Sequence, residues 1–246
     1  MTGACKSLLI TVMFLVLASQ CLAQSGDNET SAKIDQAKSL MEAGKIDESL
    51  EVLNRSLENS PTPLAFYYRG MAYSLKGLQG LAIKDYTEAI KGDPSQSAFH
   101  ARRGISKLSL GEVSDAMPDF NKALEIEPTS SSILSFRARA AMMSGRMNQA
   151  LEDINRAIQS SANNSGLYKL RGDILTAMGN YEKAVLDYDR AIQLNPGFAT
   201  AFNNRGIALA HINRIKEAVE DLNSAMDLAS SRANQPKTPG FPSTPW

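Results

Sequence analysis

The sequence has few of the side chains that carry covalent, redox or metal chemistry. Its 246 residues include two cysteines, Cys5 and Cys21, which both lie near the N-terminus, and two histidines, His100 and His211, which are far apart. No zinc-protease, phosphate-loop or serine-hydrolase motif is present. We therefore expect no enzymatic activity, no catalytic residues, no cofactor and no metal site.

The sequence also lacks an excess of charge. Its 26 basic and 26 acidic residues balance, and no block of like charges occurs. A nucleic-acid-binding protein needs a clustered basic footprint, and binding to an anionic membrane surface needs a basic amphipathic face. The charge pattern therefore argues against nucleic acid and membrane surfaces as partners.

Long apolar runs are missing except at the N-terminus. Residues 8–18 are almost wholly apolar, Lys6 precedes them, and residues 21–23 place small side chains where a signal peptidase cuts. The run is shorter than the roughly 20 residues of a membrane-spanning helix. We interpret residues 1–23 as a cleaved secretory signal, with an uncleaved anchor as the alternative. This predicts an extracytoplasmic protein, periplasmic or secreted, that has no cysteine and no membrane insertion after cleavage.

A unit of 34 residues recurs along most of the chain. Its clearest mark is a small residue at Gly70, Gly104, Ala138, Gly172 and Gly206. A turn glycine follows seven residues later in four of these units, and a large apolar residue flanked by two alanines comes after it. Small residues let two helices approach closely, large ones fill the gaps between them, and the glycine permits a left-handed turn.

This pattern resembles the tetratricopeptide repeat, a helix–turn–helix unit of about 34 residues. The resemblance implies an all-α fold, a right-handed superhelical solenoid of about six units. Five units cover residues 63–96, 97–130, 131–164, 165–198 and 199–232. A weaker unit, residues 30–62, precedes them and has Ser49 and Ser56 where the others have alanine. We expect it to cap the stack, because terminal repeats are commonly atypical.

Two short segments flank the repeats. Residues 24–29 form a linker after the predicted signal. Residues 233–246 contain four prolines and end in Trp246. This composition predicts a disordered, extended tail, although Trp246 could instead serve as a peptide ligand.

An arginine precedes the small residue of each full unit, and an aspartate follows that arginine by 16 residues. The pairs are Arg69 and Asp85, Arg103 and Asp119, Arg137 and Asp153, Arg171 and Asp187, and Arg205 and Asp221. Guanidinium and carboxylate groups match bidentately. The equal spacing favours structural ion pairs across the helix pair or the repeat junction. The alternative is an arginine stripe that binds a polyanion.

The resemblance further implies where a partner binds. In tetratricopeptide repeats the first helix of each unit lines a concave groove. The matching positions are Tyr67, Tyr68, Met71, Arg102, Phe136, Arg139, Lys169, Asp173, Asn203 and Asn204, with Met143 and His211 beside them. Aromatic and arginine side chains are common at protein interfaces, and asparagine can bind a peptide backbone. One of the two tyrosines is as readily explained by packing on the first unit, and His100 by burial in the core.

These features predict a non-catalytic scaffold or adaptor of the cell envelope or secreted space, binding a protein or peptide in the groove. Two alternatives remain. One is a chaperone-like holdase for extended segments outside the cytoplasm. The other is a self-associating structural protein that stacks end to end, because Asn213 and Ser230 replace the turn glycine and closing proline of the last unit.

Overall fold

The computed structural model describes residues 29–233, which form helices joined by short turns. No strand occurs in this range. The predicted signal segment, residues 24–28 of the linker and residues 234–246 of the tail lie outside the described residues. The all-α repeat fold expected from the 34-residue period is confirmed.

Twelve helices make up the described range. They are α1 (29–42), α2 (Ile46–Asn59), α3 (Pro63–Leu75), α4 (Gln79–Gly92), α5 (Ser97–Ser109), α6 (Val113–Ile126), α7 (Ser131–Met143), α8 (Met147–Ser160), α9 (Ser165–Ala177), α10 (Tyr181–Leu194), α11 (Ala199–His211) and α12 (Ile215–Ala233). Odd-numbered helices are the first members of their helix pairs, and even-numbered helices are the second members.

The 34-residue repeats fall into two larger compact units, which are called the first unit and the second unit from here on. Helices α1 to α4 lie in the first, which ends at Pro94, and helices α5 to α12 lie in the second, which begins at Ser95. Within the second unit, α5 contacts α7, α7 contacts α9, and α9 contacts α11. No such contact joins α6, α8, α10 and α12 to one another in this unit. The first helices therefore form an inner layer there, and the second helices lie outside it.

The turn between the helices of each pair depends on one residue in the left-handed region. Gly44, Gly77, Gly111, Gly145 and Gly179 have φ between 73° and 79°, and Asn213 has φ of 62°. Glycine adopts this conformation without steric cost, and asparagine tolerates it better than most residues. The predicted turn chemistry is confirmed, including the replacement of glycine by asparagine in the last pair.

The small position of each unit is matched to the large residue that covers it. A Cβ atom added at Gly172 would lie 2.6 Å from the Tyr188 ring, and one at Gly104 would lie 2.9 Å from Phe120. Where alanine replaces glycine, at Ala138, the covering position holds the smaller Ile154, and both are fully buried. Glycine is thus required where an aromatic ring lies against the first helix.

Two absences apply to residues 29–233. None of their helices has both the length and the apolar character that crossing a bilayer requires. Within the same range, no group of three or more histidine, cysteine, aspartate or glutamate side chains is placed to hold a metal ion.

A polar cluster in the candidate binding groove

The arginines that precede the small positions each form a bidentate ion pair with the aspartate 16 residues later. The Nη2 to Oδ1 distances are 2.8 Å for Arg69–Asp85, 2.6 Å for Arg103–Asp119, 2.7 Å for Arg137–Asp153, 2.6 Å for Arg171–Asp187 and 2.6 Å for Arg205–Asp221. All five aspartates are buried. Each pair joins the first and second helices of one unit.

A third residue, which the sequence reasoning missed, completes most of these networks. Arg171 Nη1 donates to Asn155 Oδ1 at 2.9 Å, and Arg137 Nη1 donates to Asn121 Oδ1 at 2.9 Å. Arg205 uses Asp189 in the same way at 2.6 Å. The acceptor belongs to the second helix of the preceding 34-residue repeat and lies two residues after the aspartate of that repeat. The arginine therefore ties its own helix pair together and also links it to the pair before.

These bonds also fix the charge state of the arginines. The hydrogen bond to its aspartate raises the pKa of Arg69, Arg137, Arg171 and Arg205 above its ordinary value. Their guanidinium donors are directed at carboxylate and amide oxygens inside the stack. The arginines are therefore placed to hold the units in register, with their donors already engaged.

Four of the candidate groove residues meet in one polar cluster on α9 and α11. The Asp173 carboxylate is its centre, because Oδ2 accepts from Lys169 Nζ at 2.7 Å and Oδ1 accepts from Asn204 Nδ2 at 2.8 Å. Asn203 Nδ2 in turn donates to Asn204 Oδ1 at 3.1 Å. We call Lys169, Asp173, Asn203 and Asn204 the Asp173 cluster. It bridges α9 and α11, the first helices of two successive 34-residue repeats.

Tyr188 supports the cluster from below, and the sequence reasoning gave it only a packing role. Its hydroxyl donates to Asp173 Oδ1 at 3.0 Å and lies 3.1 Å from Thr176 Oγ1. Burial raises the pKa of Tyr188, and the nearby Asp173 carboxylate raises it further. The hydroxyl therefore stays protonated and continues to donate. The sequence offered little signal for this role, because the same position holds tyrosine in one other repeat, at Tyr86, and Phe120, Ile154 and Leu222 in the rest.

The other candidates in the second unit differ in availability. Arg139 on α7 is exposed and makes no hydrogen bond or ion pair with another described residue. Phe136 is half-buried and stacks on Phe120, with ring centroids 6.4 Å apart. Arg102 on α5 is half-buried. Arg139 is therefore a cation that a partner can reach.

The remaining pair of positions beside the groove also differs. Met143, at the end of α7, is exposed, and His211, at the end of α11, stacks on Tyr181 with ring centroids 4.2 Å apart. His100 is buried. His211 is thus engaged with an aromatic ring, whereas Met143 offers an apolar surface.

In the first unit, the two tyrosines have different neighbours. Tyr68 packs with the apolar residues Met41 and Leu50 of the first repeat and lies under the Lys38 ammonium group, 4.8 Å from the ring centroid. Tyr67 contacts the Tyr68 ring edge-on at 5.1 Å and lies 5.9 Å from the Tyr86 ring. Met71 is half-buried beside them. Tyr68 is thus the tyrosine that packs on the first repeat.

The candidate groove of the second unit exposes polar and apolar groups side by side. The Asp173 cluster holds its amide and ammonium groups in place, and Asn203 remains exposed at its edge. One turn along α11, Ile207 is 44% exposed. An exposed carboxamide beside an apolar side chain can satisfy a peptide backbone and contact a peptide side chain at once.

Comparisons with known proteins agree with this architecture. A family model described as a tetratricopeptide repeat matches residues 34–97, and one described as a TPR repeat matches residues 172–212. No curated protein sequence matches the chain.

Among solved structures, that of MamA is 25% identical, covers 68% of this chain and 97% of its own, and has a TM-score of 0.60. YrrB, described as a TPR protein with an unusual peptide-binding site, is 19% identical over 75% of this chain and 95% of its own, with a TM-score of 0.58. The Pseudomonas aeruginosa pilF structure is 15% identical over 86% of this chain and 100% of its own, with a TM-score of 0.71. Together with the helix pairs described above, the family matches identify the chain as a tetratricopeptide repeat protein.

Proposed function

We propose that this protein is a non-catalytic adaptor that holds an extended segment of a partner protein in the groove of its second unit. The proposed site runs from α7 across α9 to α11. The observation that carries the proposal is the Asp173 cluster, a set of hydrogen bonds that links two successive 34-residue repeats and leaves the Asn203 carboxamide exposed.

The surroundings of the cluster indicate the kind of segment that would bind. Lys169 is already paired with Asp173 at 2.7 Å, so it is a poor receptor for a terminal carboxylate. Arg139 is an accessible cation, and Ile207 and Met143 add exposed apolar surface. These features favour an extended peptide with apolar side chains and an acidic residue. The peptide-binding site named for YrrB agrees with such a use of the fold.

We further propose that the adaptor works in the cell envelope or the secreted space, as the N-terminal sequence predicts. The proposal is tested by following the native chain through cell fractionation, with sequencing of its mature N-terminus. A mature chain that begins near residue 24 and is found outside the cytoplasm supports the location. An intact N-terminus on a cytoplasmic chain would refute it.

Site-specific photocrosslinking in the native cell tests the groove. A photoreactive amino acid is placed at Ile207, which is 44% exposed in the groove, and in a matched chain at Leu186, which is 67% exposed on the second helix α10. We expect one or a few partners to crosslink from position 207 and not from position 186. Adding Asn203→Ala should abolish the crosslinks from position 207.

The pattern of captured proteins also separates the alternatives. Many unrelated proteins captured from position 207, with no effect of Asn203→Ala, would indicate a holdase. Equal capture from positions 207 and 186 would mean that the groove is not the binding surface.

A further inference from the structure

The last described helix, α12, exposes an apolar stripe. Ile215, Val219, Leu222 and Met226 are 53%, 52%, 37% and 68% exposed. Their spacing of four, three and four residues puts them on one face of the helix. We call these four residues the α12 stripe. Contiguous exposed apolar surface of this kind is a mark of an interaction site.

The α12 stripe occupies positions that are covered elsewhere in the second unit. Val219 and Leu222 correspond to Val185 and Tyr188 on α10, which are 5% and 1% exposed in an apolar cluster with residues of α11. On α6 the corresponding Met117 is also buried. A terminal repeat usually replaces such residues with polar ones. The last repeat has kept the apolar pattern, so its sequence fits a covered face.

The first unit ends differently. The exposed side of α1 is polar, with Asp35, Gln36 and Ser39 among its exposed residues. Stacking the α12 stripe on α1 of another copy would bury these groups against apolar side chains, which is unfavourable unless each finds a hydrogen bond. A second α12 stripe has no such conflict. The difference favours a two-fold contact between identical surfaces over a head-to-tail stack.

Charges beside the stripe suit the same arrangement. If Val219 lies opposite Leu222 of an antiparallel copy, Ile215 lies opposite Met226. The residues that follow the outer pair are Lys216 and Asp227, so each would face its opposite charge in the copy. They cannot pair within one chain, because 11 residues of helix separate them by about 16 Å. Neither forms an ion pair with another described residue.

We propose that α12 is a self-association surface, on which the α12 stripe packs antiparallel against the same stripe of a second copy. Lys216 of each chain then lies beside Asp227 of the second copy. The arrangement is closed by its two-fold symmetry and therefore ends at a dimer. It would join two peptide grooves in one particle, which strengthens binding to partners that carry two segments.

Sedimentation equilibrium of the full chain, produced in its native cell so that any N-terminal processing occurs, tests the proposal. We expect a concentration-dependent mass that rises from one chain to a limit of two. Val219→Glu should raise the dissociation constant about tenfold or more, because it places a charge in the apolar contact. The matched control Leu186→Glu, at an exposed apolar position on α10, should leave the constant unchanged.

A charge exchange distinguishes this arrangement from other contacts, and it changes exposed positions only. Lys216→Glu and Asp227→Lys should each weaken the dimer several-fold, because each creates two like-charge contacts. The double variant should restore the dimer to near its original strength. Association that grows beyond two chains, or a double variant weaker than both single ones, would overturn the proposal.

The proline-rich segment that follows α12 is the competing occupant. If the full chain remains a monomer while a chain ending at residue 233 dimerises, residues 234–246 cover the stripe and the proposal is wrong. A full chain and a shortened chain that are both monomeric at all concentrations would also overturn it. Equal dimerisation of the two chains supports it.

Discussion

The second unit contains two kinds of polar network that use similar side chains. One is the arginine–aspartate pair, which recurs in each of its four helix pairs with the same spacing and nearly the same geometry. The other is the Asp173 cluster, which occurs once. The equivalents of Lys169 and Asp173 in the preceding 34-residue repeat are Ser135 and Arg139, and in the following repeat they are Asn203 and Ile207. The recurring network lies between the helices of a pair, whereas the single one lies on the candidate groove.

Under the proposed function, the difference indicates how this repeat protein separates stability from recognition. A residue that holds neighbouring repeats together meets the same surroundings in every repeat, so its identity recurs with the 34-residue period. A residue that contacts a partner meets different surroundings in each unit, because the partner has no 34-residue period. Departure from the repeat within the groove is therefore the better guide to binding, and recurrence is the better guide to packing.

Removing one member of a recurring pair should give the largest loss of stability. Arg171→Met leaves the buried Asp187 carboxylate without its two donors and removes the bond to Asn155. We expect the free energy of unfolding to fall by roughly 3 kcal/mol, at the low end for a buried pair, because the Arg171 side chain is 26% exposed. Urea unfolding followed by circular dichroism measures the change.

The double variant Arg171→Met/Asp187→Leu is the control for this loss. It removes the unpaired carboxylate, so it should regain much of the stability lost in the single variant. A double variant as unstable as the single one would mean that the loss arises from packing of the arginine side chain and not from its pairing.

The match between small and covering residues should give the next largest effect. Gly172→Ala places a Cβ atom 2.6 Å from Tyr188, and we expect a loss of about 2 kcal/mol from overpacking. Adding Tyr188→Ile copies the alanine and isoleucine found at Ala138 and Ile154. Tyr188→Ile alone removes the hydroxyl bonds to Asp173 and Thr176, so the double variant should lose less stability than the sum of the two single variants. Thermal unfolding of the three variants tests the match, and losses that simply add would show that the two positions are not coupled.

Much of this arrangement could be predicted from the sequence, and the reasons for the rest are physical. The left-handed turns and the arginine–aspartate spacing follow from a fixed period, because each unit repeats the same local problem. The third partner of Arg171 was missed because its position holds Asn121, Asn155 or Asp189 in different units, so that its role recurs while its residue type varies. The contribution of Tyr188 to the groove was missed because its ring fills a core position and only its hydroxyl reaches Asp173.

The raised pKa of Tyr188 predicts that part of the folding stability is lost at alkaline pH. This loss arises from the Asp173 cluster and not from the recurring ion pairs. In the folded chain the hydroxyl stays protonated, mainly because it is buried and also because the Asp173 carboxylate lies beside it. In the unfolded chain it ionises near its ordinary pKa of about 10. The stabilisation is therefore complete below pH 10 and is lost as the pH rises above it. At pH 10.5 the loss should be less than about 1 kcal/mol.

Comparing urea midpoints at pH 8.5 and pH 10.5 for the wild type and Tyr188→Phe isolates this effect. Every other ionisable group is common to the two proteins, so its contribution cancels in the difference. The wild type should lose more stability than the variant over this range. Equal losses would mean that the Tyr188 hydroxyl is not held protonated by its surroundings.

The smallest expected change in stability comes from Asp173→Asn, and its matched substitution is Asp187→Asn on the next helix. In Asp173→Asn the amide oxygen can still accept from Tyr188 and Asn204, so the main loss is the ion pair to Lys169, a helix-surface pair four residues apart whose lysine is 27% exposed. Such a pair contributes about 0.5 kcal/mol. Asp187→Asn instead places an amide N–H group against the Arg171 guanidinium in a buried site, and should cost about 2 kcal/mol.

Partner binding should respond to these two substitutions in the opposite order. Asp173→Asn releases Lys169 beside Asn203 and changes the groove itself, so crosslinking from position 207 should weaken. Asp187→Asn lies between helices and should leave that crosslinking largely intact in the molecules that remain folded. If Asp173→Asn lowers stability as much as Asp187→Asn and leaves crosslinking unchanged, the Asp173 cluster is a packing feature like the recurring pairs, because recognition of a partner requires that its residues contribute more to binding than to folding.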